Sequence, residues 1–175
     1  MNGVEIDYAL SHLTLLVDTR EQDTIELKKR LQSAEIPYIR EKLDFGDYSI
    51  KSKLLNGCEF SLQNKVCVER KMSIDELCNC YCQQRQRFER EFERAKEAGA
   101  KVYLLVENAT FEKIYNHKYK SQMSPNALSA SVLAWLSRYN CQIVFCKPET
   151  SGKLIKDILY REMKEFLNNF QGDKK

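Results

Sequence analysis

Proline and glycine are scarce, three and six among 175 residues. No stretch is rich enough in Pro, Gly or Ser to serve as a linker, and no tract is of low complexity. No internal repeat of roughly 20–50 residues is present, which excludes solenoid and propeller architectures. Long apolar runs are missing too: none approaches the roughly 18 residues of a membrane span. The N-terminus lacks the basic and then apolar pattern of a secretory leader, so the expectation is an intracellular protein. Charge of one sign is nearly absent, since 28 Lys+Arg against 25 Asp+Glu leave +3. That excludes binding through bulk positive charge but permits a local basic patch. A 43% hydrophobic, 30% charged composition excludes general disorder. At about 150 residues per domain, the length favours one domain over 1–170, with polar 171–175 as a disordered tail.

Seven cysteines are present, at 58, 67, 78, 80, 82, 141 and 146. Without a leader they read as reduced thiols. Cys78-Asn-Cys80-Tyr-Cys82 suggests a metal, yet no second Cys/His pair is placed to complete a zinc site. Cys78 and Cys82 fit an apolar helical stripe and are expected to be buried, with Cys80 on the surface. A cysteine-based redox or zinc protein is therefore the weakest reading.

Leu13–Asp18 is rich in strand formers and ends in an acid. Residues 24–33 follow as a helix and 36–40 as a short strand. Residues 48–55 and 58–62 flank Asn56-Gly57, a hairpin signal, and Val66–Lys71 reads as the third strand of a meander. The spacing of Ile74, Leu77, Cys78, Tyr81, Cys82, Phe88, Phe92 and Ala95 predicts one long helix ended by Gly99. Lys101–Glu107 reads as a strand buried on both faces. A short helix over 110–115, a helix over 124–139 opened by Ser124-Pro125, a strand over 142–146 and a helix over 153–170 complete the chain. The order predicts an α/β three-layer sandwich, a central mixed sheet flanked by helices.

The first 75 residues carry the chemistry. Gly46-Asp47 opens a strand, and Glu69-Arg70-Lys71 ends another. Residues two apart on a strand share a face, so Glu69 and Lys71 project together while Arg70 points away. Two carboxylates, Asp47 and Glu69, suit a hard cation such as Mg²⁺ or Mn²⁺. A bound cation lowers the pKa of water and neutralises phosphate charge. Lys71 can orient that water or stabilise developing charge. The pattern resembles the D…ExK arrangement of restriction-endonuclease-like nucleases.

Val66-Cys-Val-Glu-Arg-Lys-Met-Ser-Ile-Asp75 resembles the V-E-R-K-x-x-x-D signature of the XPF-type structure-specific endonuclease domain. Gly46-Asp47-Tyr48, Leu16-Val-Asp-Thr-Arg-Glu21, Tyr103-Leu-Leu-Val-Glu107 and Ser124-Pro125 match further elements of that family in order. The resemblance implies a restriction-endonuclease-like fold and Mg²⁺- or Mn²⁺-dependent cleavage of branched or flap-type DNA, as in repair or recombination. It implies Asp47 and Glu69 as metal carboxylates and Asp18 as an auxiliary acid at the metal. Arg20 and Arg70 would contact the scissile DNA strand or brace the carboxylates. Asp75 would be a supporting acid paired with Arg70; its place in a first helical turn equally suits the helix dipole. An arginine of this helix lies by the active site in that family, which points to Arg85, although Gln84-Arg85 replaces the usual Gly-Arg pair. From sequence alone, Arg85 falls on the apolar stripe, where a charge is costly unless it is paired or reaches outward.

Lys118 and Lys120, interleaved with Tyr115, His117 and Tyr119, suit phosphate contacts and stacking, or an ordinary solvated loop. The broad apolar surfaces of the last two helices, and the family's dimerisation, point to a homodimer or a related nuclease-fold subunit as partner. The tandem helix-hairpin-helix module common in the family is not expected within these 175 residues. A catalytically silent DNA- or partner-binding scaffold on the same fold remains the alternative.

Overall fold

The computed structural model describes residues 1–169. The expected tail at 171–175, and Phe170 at the expected end of the last helix, lie outside the described residues. In chain order the elements are α1 (Gly3–Ser11), β1 (Leu13–Asp18), α2 (Ile25–Ala34), β2 (Tyr38–Glu41), β3 (Tyr48–Lys53), β4 (Glu59–Ser61) and β5 (Val66–Lys71). Then come α3 (Ile74–Tyr81), α4 (Arg85–Glu97), β6 (Lys101–Glu107), α5 (Phe111–Tyr115), α6 (Pro125–Arg138), β7 (Cys141–Cys146) and α7 (Pro148–Asn168).

The strands form one mixed sheet in the order β2-β1-β3-β5-β6-β7. β1 runs parallel to β2 and antiparallel to β3. β5, β6 and β7 are mutually parallel. The expected three-strand meander is not formed. β4 pairs with the far half of β3 (Lys51 with Ser61), while β5 meets its near end (Tyr48 with Val68). β4 and β5 thus lie in tandem along the same side of β3, and β5 is freed to pair with β6.

Side-chain alternation sends the two faces of the sheet into separate cores. Val66 and Val68 pack with α1, α2 and α7; Cys67 packs with α3, α4 and α6. β6 divides likewise, with Leu105 on the first side and Leu104 and Val106 on the second. The result is the three-layer α/β sandwich anticipated from the order of elements.

Helix starts follow local chemistry. The side chains of Thr24, Ser73 and Ser124 each accept a first-turn backbone N–H, and Pro125 occupies the first helical position of α6. The sequence reading lacked α1, which is opened by a reciprocal capping box between Asn2 and Glu5. α7 begins at Pro148, five residues earlier than expected.

The expected long helix from Ile74 to Gly99 is broken at residues 82–84. Gln84 N–H donates to Asn79 O at 3.0 Å, and Cys82 leaves helical geometry. A continuous helix would carry Arg85 inward. The break turns it out to solvent as the first residue of α4, its guanidinium 5.8 Å from the Trp135 ring. Cys80 and Cys82 exchange their expected places with it: Cys80 is buried and Cys82 exposed. Among the described residues no helix is long and apolar enough to cross a membrane.

Candidate active site

The turn into β3 sets the geometry. Gly46 adopts φ +72°, and a Cβ there would stand 2.7 Å from Cys67 Cβ and Sγ, so the turn lies flush on β5 as only glycine permits. Asp47 N–H donates to Val68 O at 2.9 Å, and Asp47 Oδ2 accepts Arg70 N–H at 2.8 Å. Asp47 therefore arrives beside Glu69 and Lys71, which share with Cys67 the face of β5 turned to α3 and α4. Together they line a cavity of about 250 Å³, with Arg20, Glu21 and Arg70 on one side and Glu76, Cys80, Gln84, Arg87, Phe88 and Glu91 on the other.

Glu69 is 3% exposed. One of its oxygens accepts from Lys71 Nζ; the other, Oε2, is buried without a hydrogen-bond partner. An unmatched buried carboxylate oxygen is costly, and in a polar cavity it invites a cation. Burial opposes the Lys71 ammonium, but the Glu69 and Asp47 carboxylates outweigh it and raise the lysine pKa. Burial, then the Glu69 charge, holds the Asp47 carboxyl well above the usual range. Glu91 is raised by the same two causes; its Oε1 accepts Gly46 N–H at 3.1 Å. The site is thus an acid-rich pocket whose charges repel.

Asp18 is fully buried and does not line the cavity. Its oxygens are taken by Arg20 N–H and Nε, both at 2.7 Å, and by Leu43 N–H at 2.7 Å. Arg20 holds it below the usual carboxylate range, against the cost of burial. In this placement Asp18 braces Arg20 and stands behind the cavity lining. Arg20 itself reaches the cavity. Arg70 turns to the opposite face, where it grips both oxygens of Glu107 at 2.9 and 2.7 Å.

Asp75 does not pair with Arg70. Its Oδ1 accepts Lys120 N–H at 2.8 Å and Ser121 N–H at 2.7 Å. Arg85 is absent from the cavity, and Arg87, two residues on, takes that place. Lys118 and Lys120 are exposed on the loop before α6. Sequence reasoning missed Glu91, Arg87 and Glu107. The first two were hidden in a run of alternating charges. The third was visible as an acid closing an apolar strand.

Among the described residues no group of three or more His, Cys, Asp or Glu side chains could hold a metal on its own. Burial pushes the Cys80 thiol up to about 11, so it is a poor thiolate ligand. Asp47 with the unmatched Glu69 oxygen instead fits the hard, water-rich ion held by one or two carboxylates plus a phosphate.

A family model for the ERCC4 domain matches residues 17–158. No curated protein sequence matches the chain. Among solved structures, XPF from Aeropyrum pernix is similar with a TM-score of 0.64 at 20% identity, over 93% of this chain and 67% of that one. XPF from Aeropyrum pernix in complex with DNA gives a TM-score of 0.59 at 20% identity, over 92% and 68%. At that identity the likeness is one of fold.

Proposed function

Because the chain belongs to the ERCC4 domain family, we propose that it is a metal-dependent endonuclease that hydrolyses phosphodiester bonds in branched or flap-type DNA. The observation that carries this reading is the buried, unpartnered Oε2 of Glu69, facing the same cavity as Asp47 and Lys71. Asp47 and Glu69 would hold Mg²⁺ or Mn²⁺, which when bound supplies an activated water and neutralises phosphate charge. Lys71 is favoured as an ammonium by the Glu69 and Asp47 carboxylates, against the cost of burial. It serves as a donor that orients the nucleophile or binds a phosphate oxygen. Arg20, fixed by Asp18, and Arg87 supply further cationic donors at the cavity wall. Cys80 and Phe88 add a less polar stretch to the cavity wall.

The test is cleavage of end-labelled flap, fork and plain duplex DNA with Mg²⁺, Mn²⁺ or EDTA, comparing wild type with Glu69→Gln and Lys71→Ala. Metal-dependent cutting that both substitutions abolish is expected. Wild-type binding without cutting under any metal would sink the nuclease reading and favour a silent scaffold. A homodimer belongs to the same proposal: Leu133 of α6 is 47% exposed, left uncovered by the described residues. A monomer by sedimentation at high micromolar concentration would remove it.

A further inference from the structure

The last acid of the Glu69–Asp75 segment faces neither the cavity nor Arg70. Its Oδ1 takes two successive backbone N–H groups, from Lys120 and Ser121, at 2.8 and 2.7 Å. Those donors belong to the loop between α5 and α6. A carboxylate accepting two main-chain donors forms a charge-assisted clamp stronger than a neutral pair. Asp75 sits in the first turn of α3, next to Glu76, which lines the cavity. The clamp thus fastens a distant loop to the element at the cavity rim.

Tyr119 and Met123 also pack against the core beneath α3, with Cys82 Sγ 3.8 Å from Met123 Sδ, and further bonds within the loop fix its shape. Lys118 N–H donates to Lys113 O at 2.8 Å, and a His117 ring nitrogen lies 2.9 Å from Ser121 O. Tyr119 O–H donates to Met123 O at 2.8 Å, and the His117 and Tyr119 rings are 4.5 Å apart. What this shape presents outward is cationic. Lys118 and Lys120 are exposed, and neither ammonium has a hydrogen-bond or ion-pair partner among the described residues. Unpaired lysines on a shaped loop fit a row of phosphates.

We infer that Asp75 is a positioning residue that locks the Lys118–Lys120 loop beside the active site, where the two lysines contact backbone phosphates of the DNA arm flanking the cleaved bond. The inference rests on the nuclease reading for the identity of the ligand, but its test does not require cleavage. Asp75 acts through the loop and touches neither the scissile phosphate nor a bound cation.

The experiment measures the salt dependence of DNA binding, by anisotropy of a labelled flap duplex in EDTA. Each phosphate contact contributes about −0.9 to the slope of log K against log salt. Lys118→Ala with Lys120→Ala should therefore flatten the slope by about 1.8. Asp75→Ala should produce most of the same change, and the triple variant should match the double. Asp75→Asn keeps an acceptor oxygen and should restore the wild-type slope. Hydrogen exchange at the Lys120 and Ser121 amides should accelerate in Asp75→Ala and not in Asp75→Asn. A double-lysine variant with an unchanged slope overturns the inference, as does an Asp75→Asn variant that behaves like Asp75→Ala. Additive losses from Asp75→Ala and the lysine pair overturn it too. Failure of the nuclease reading shows separately, as absent cleavage by wild type.

Discussion

Asp47 is tied to Arg70 through the main chain, its Oδ2 accepting the Arg70 N–H at 2.8 Å, while the Arg70 side chain leaves for the other face of the sheet. One residue thus serves two layers. Its backbone fixes an acid of the cavity, and its guanidinium anchors the far core through Glu107.

The repulsion between Asp47 and Glu69 has a sign that can be tested. A carboxyl whose pKa is raised by folding holds its proton longer in the folded chain than in the unfolded one. Stability therefore falls as pH rises from the ordinary Asp value through the folded one, and the penalty persists at neutral pH. Asp47→Asn removes the charge while keeping an acceptor for Arg70 N–H. At pH 7 in EDTA it should melt higher than wild type, by about 2–4 °C for each 1 kcal/mol relieved. Wild type should gain about 2.7 kcal/mol from Mg²⁺ at 100 times its dissociation constant, and the variant almost nothing. Thermal melts with and without Mg²⁺ check both halves.

Glu107 is 2% exposed and holds Arg70 by two hydrogen bonds, with Arg30 Nε 3.6 Å away. Arg30 continues the network to Tyr48 O–H at 3.0 Å and Ser151 Oγ at 3.3 Å. Glu107→Ala would leave the half-buried Arg70 guanidinium without its acid and the buried Arg30 with Glu21, 3.8 Å away, as its remaining acid. Breaking such a network costs about 3–5 kcal/mol, so chemical denaturation should show a loss of that size. A loss under 1 kcal/mol would mean that water or Glu21 replaces Glu107.

Much of this was legible in the sequence because strands repeat every two residues. Val66–Lys71 announces both the shared face of Glu69 and Lys71 and the opposite face of Arg70. The partner of Arg70 was not legible, since it depends on parallel register. Arg70 pairs with Leu105, which sets Glu107 two residues further along the same face. The helix break was also hidden. The apolar spacing from Ile74 to Ala95 runs through it without a proline or glycine, and the misplaced Cys80 and Cys82 follow from that continuity. The one local sign was Arg85, a charge in an apolar stripe, and breaking the helix is how the chain avoids burying it.

Gly152 reverses a general rule. Replacing a mid-helix glycine by alanine normally gains about 1 kcal/mol. In α7, however, a Cβ at 152 would stand 2.0 Å from Arg30 O and 2.3 Å from Ser33 Oγ. The clash is with backbone, which cannot swing aside as a long side chain can. Gly152→Ala should therefore destabilise by about 1–3 kcal/mol, the usual cost of overpacking, by driving α7 away from α2. A melting temperature at or above wild type would contradict the α2–α7 contact.

Arg85 and Arg87 separate the sequence expectation from the structure most sharply. Arg85 lies outside the cavity, stacked 5.8 Å from Trp135, an exposed contact worth about 0.5–1 kcal/mol. Arg87 lines the cavity with Lys71 and Glu69 and has no hydrogen-bond or ion-pair partner among the described residues. A free guanidinium there can take a phosphate oxygen, a charged hydrogen bond worth about 1.5–3 kcal/mol. Arg87→Ala should slow single-turnover cleavage by roughly 10- to 100-fold, at 1.36 kcal/mol per factor of ten, and leave the melting temperature within a few degrees. Arg85→Ala should do the reverse, cutting near the wild-type rate while melting slightly lower. Rates and melts on the same two preparations decide it: a larger rate loss in Arg85→Ala would mean that α4 turns by half a turn when DNA binds, exchanging the two arginines.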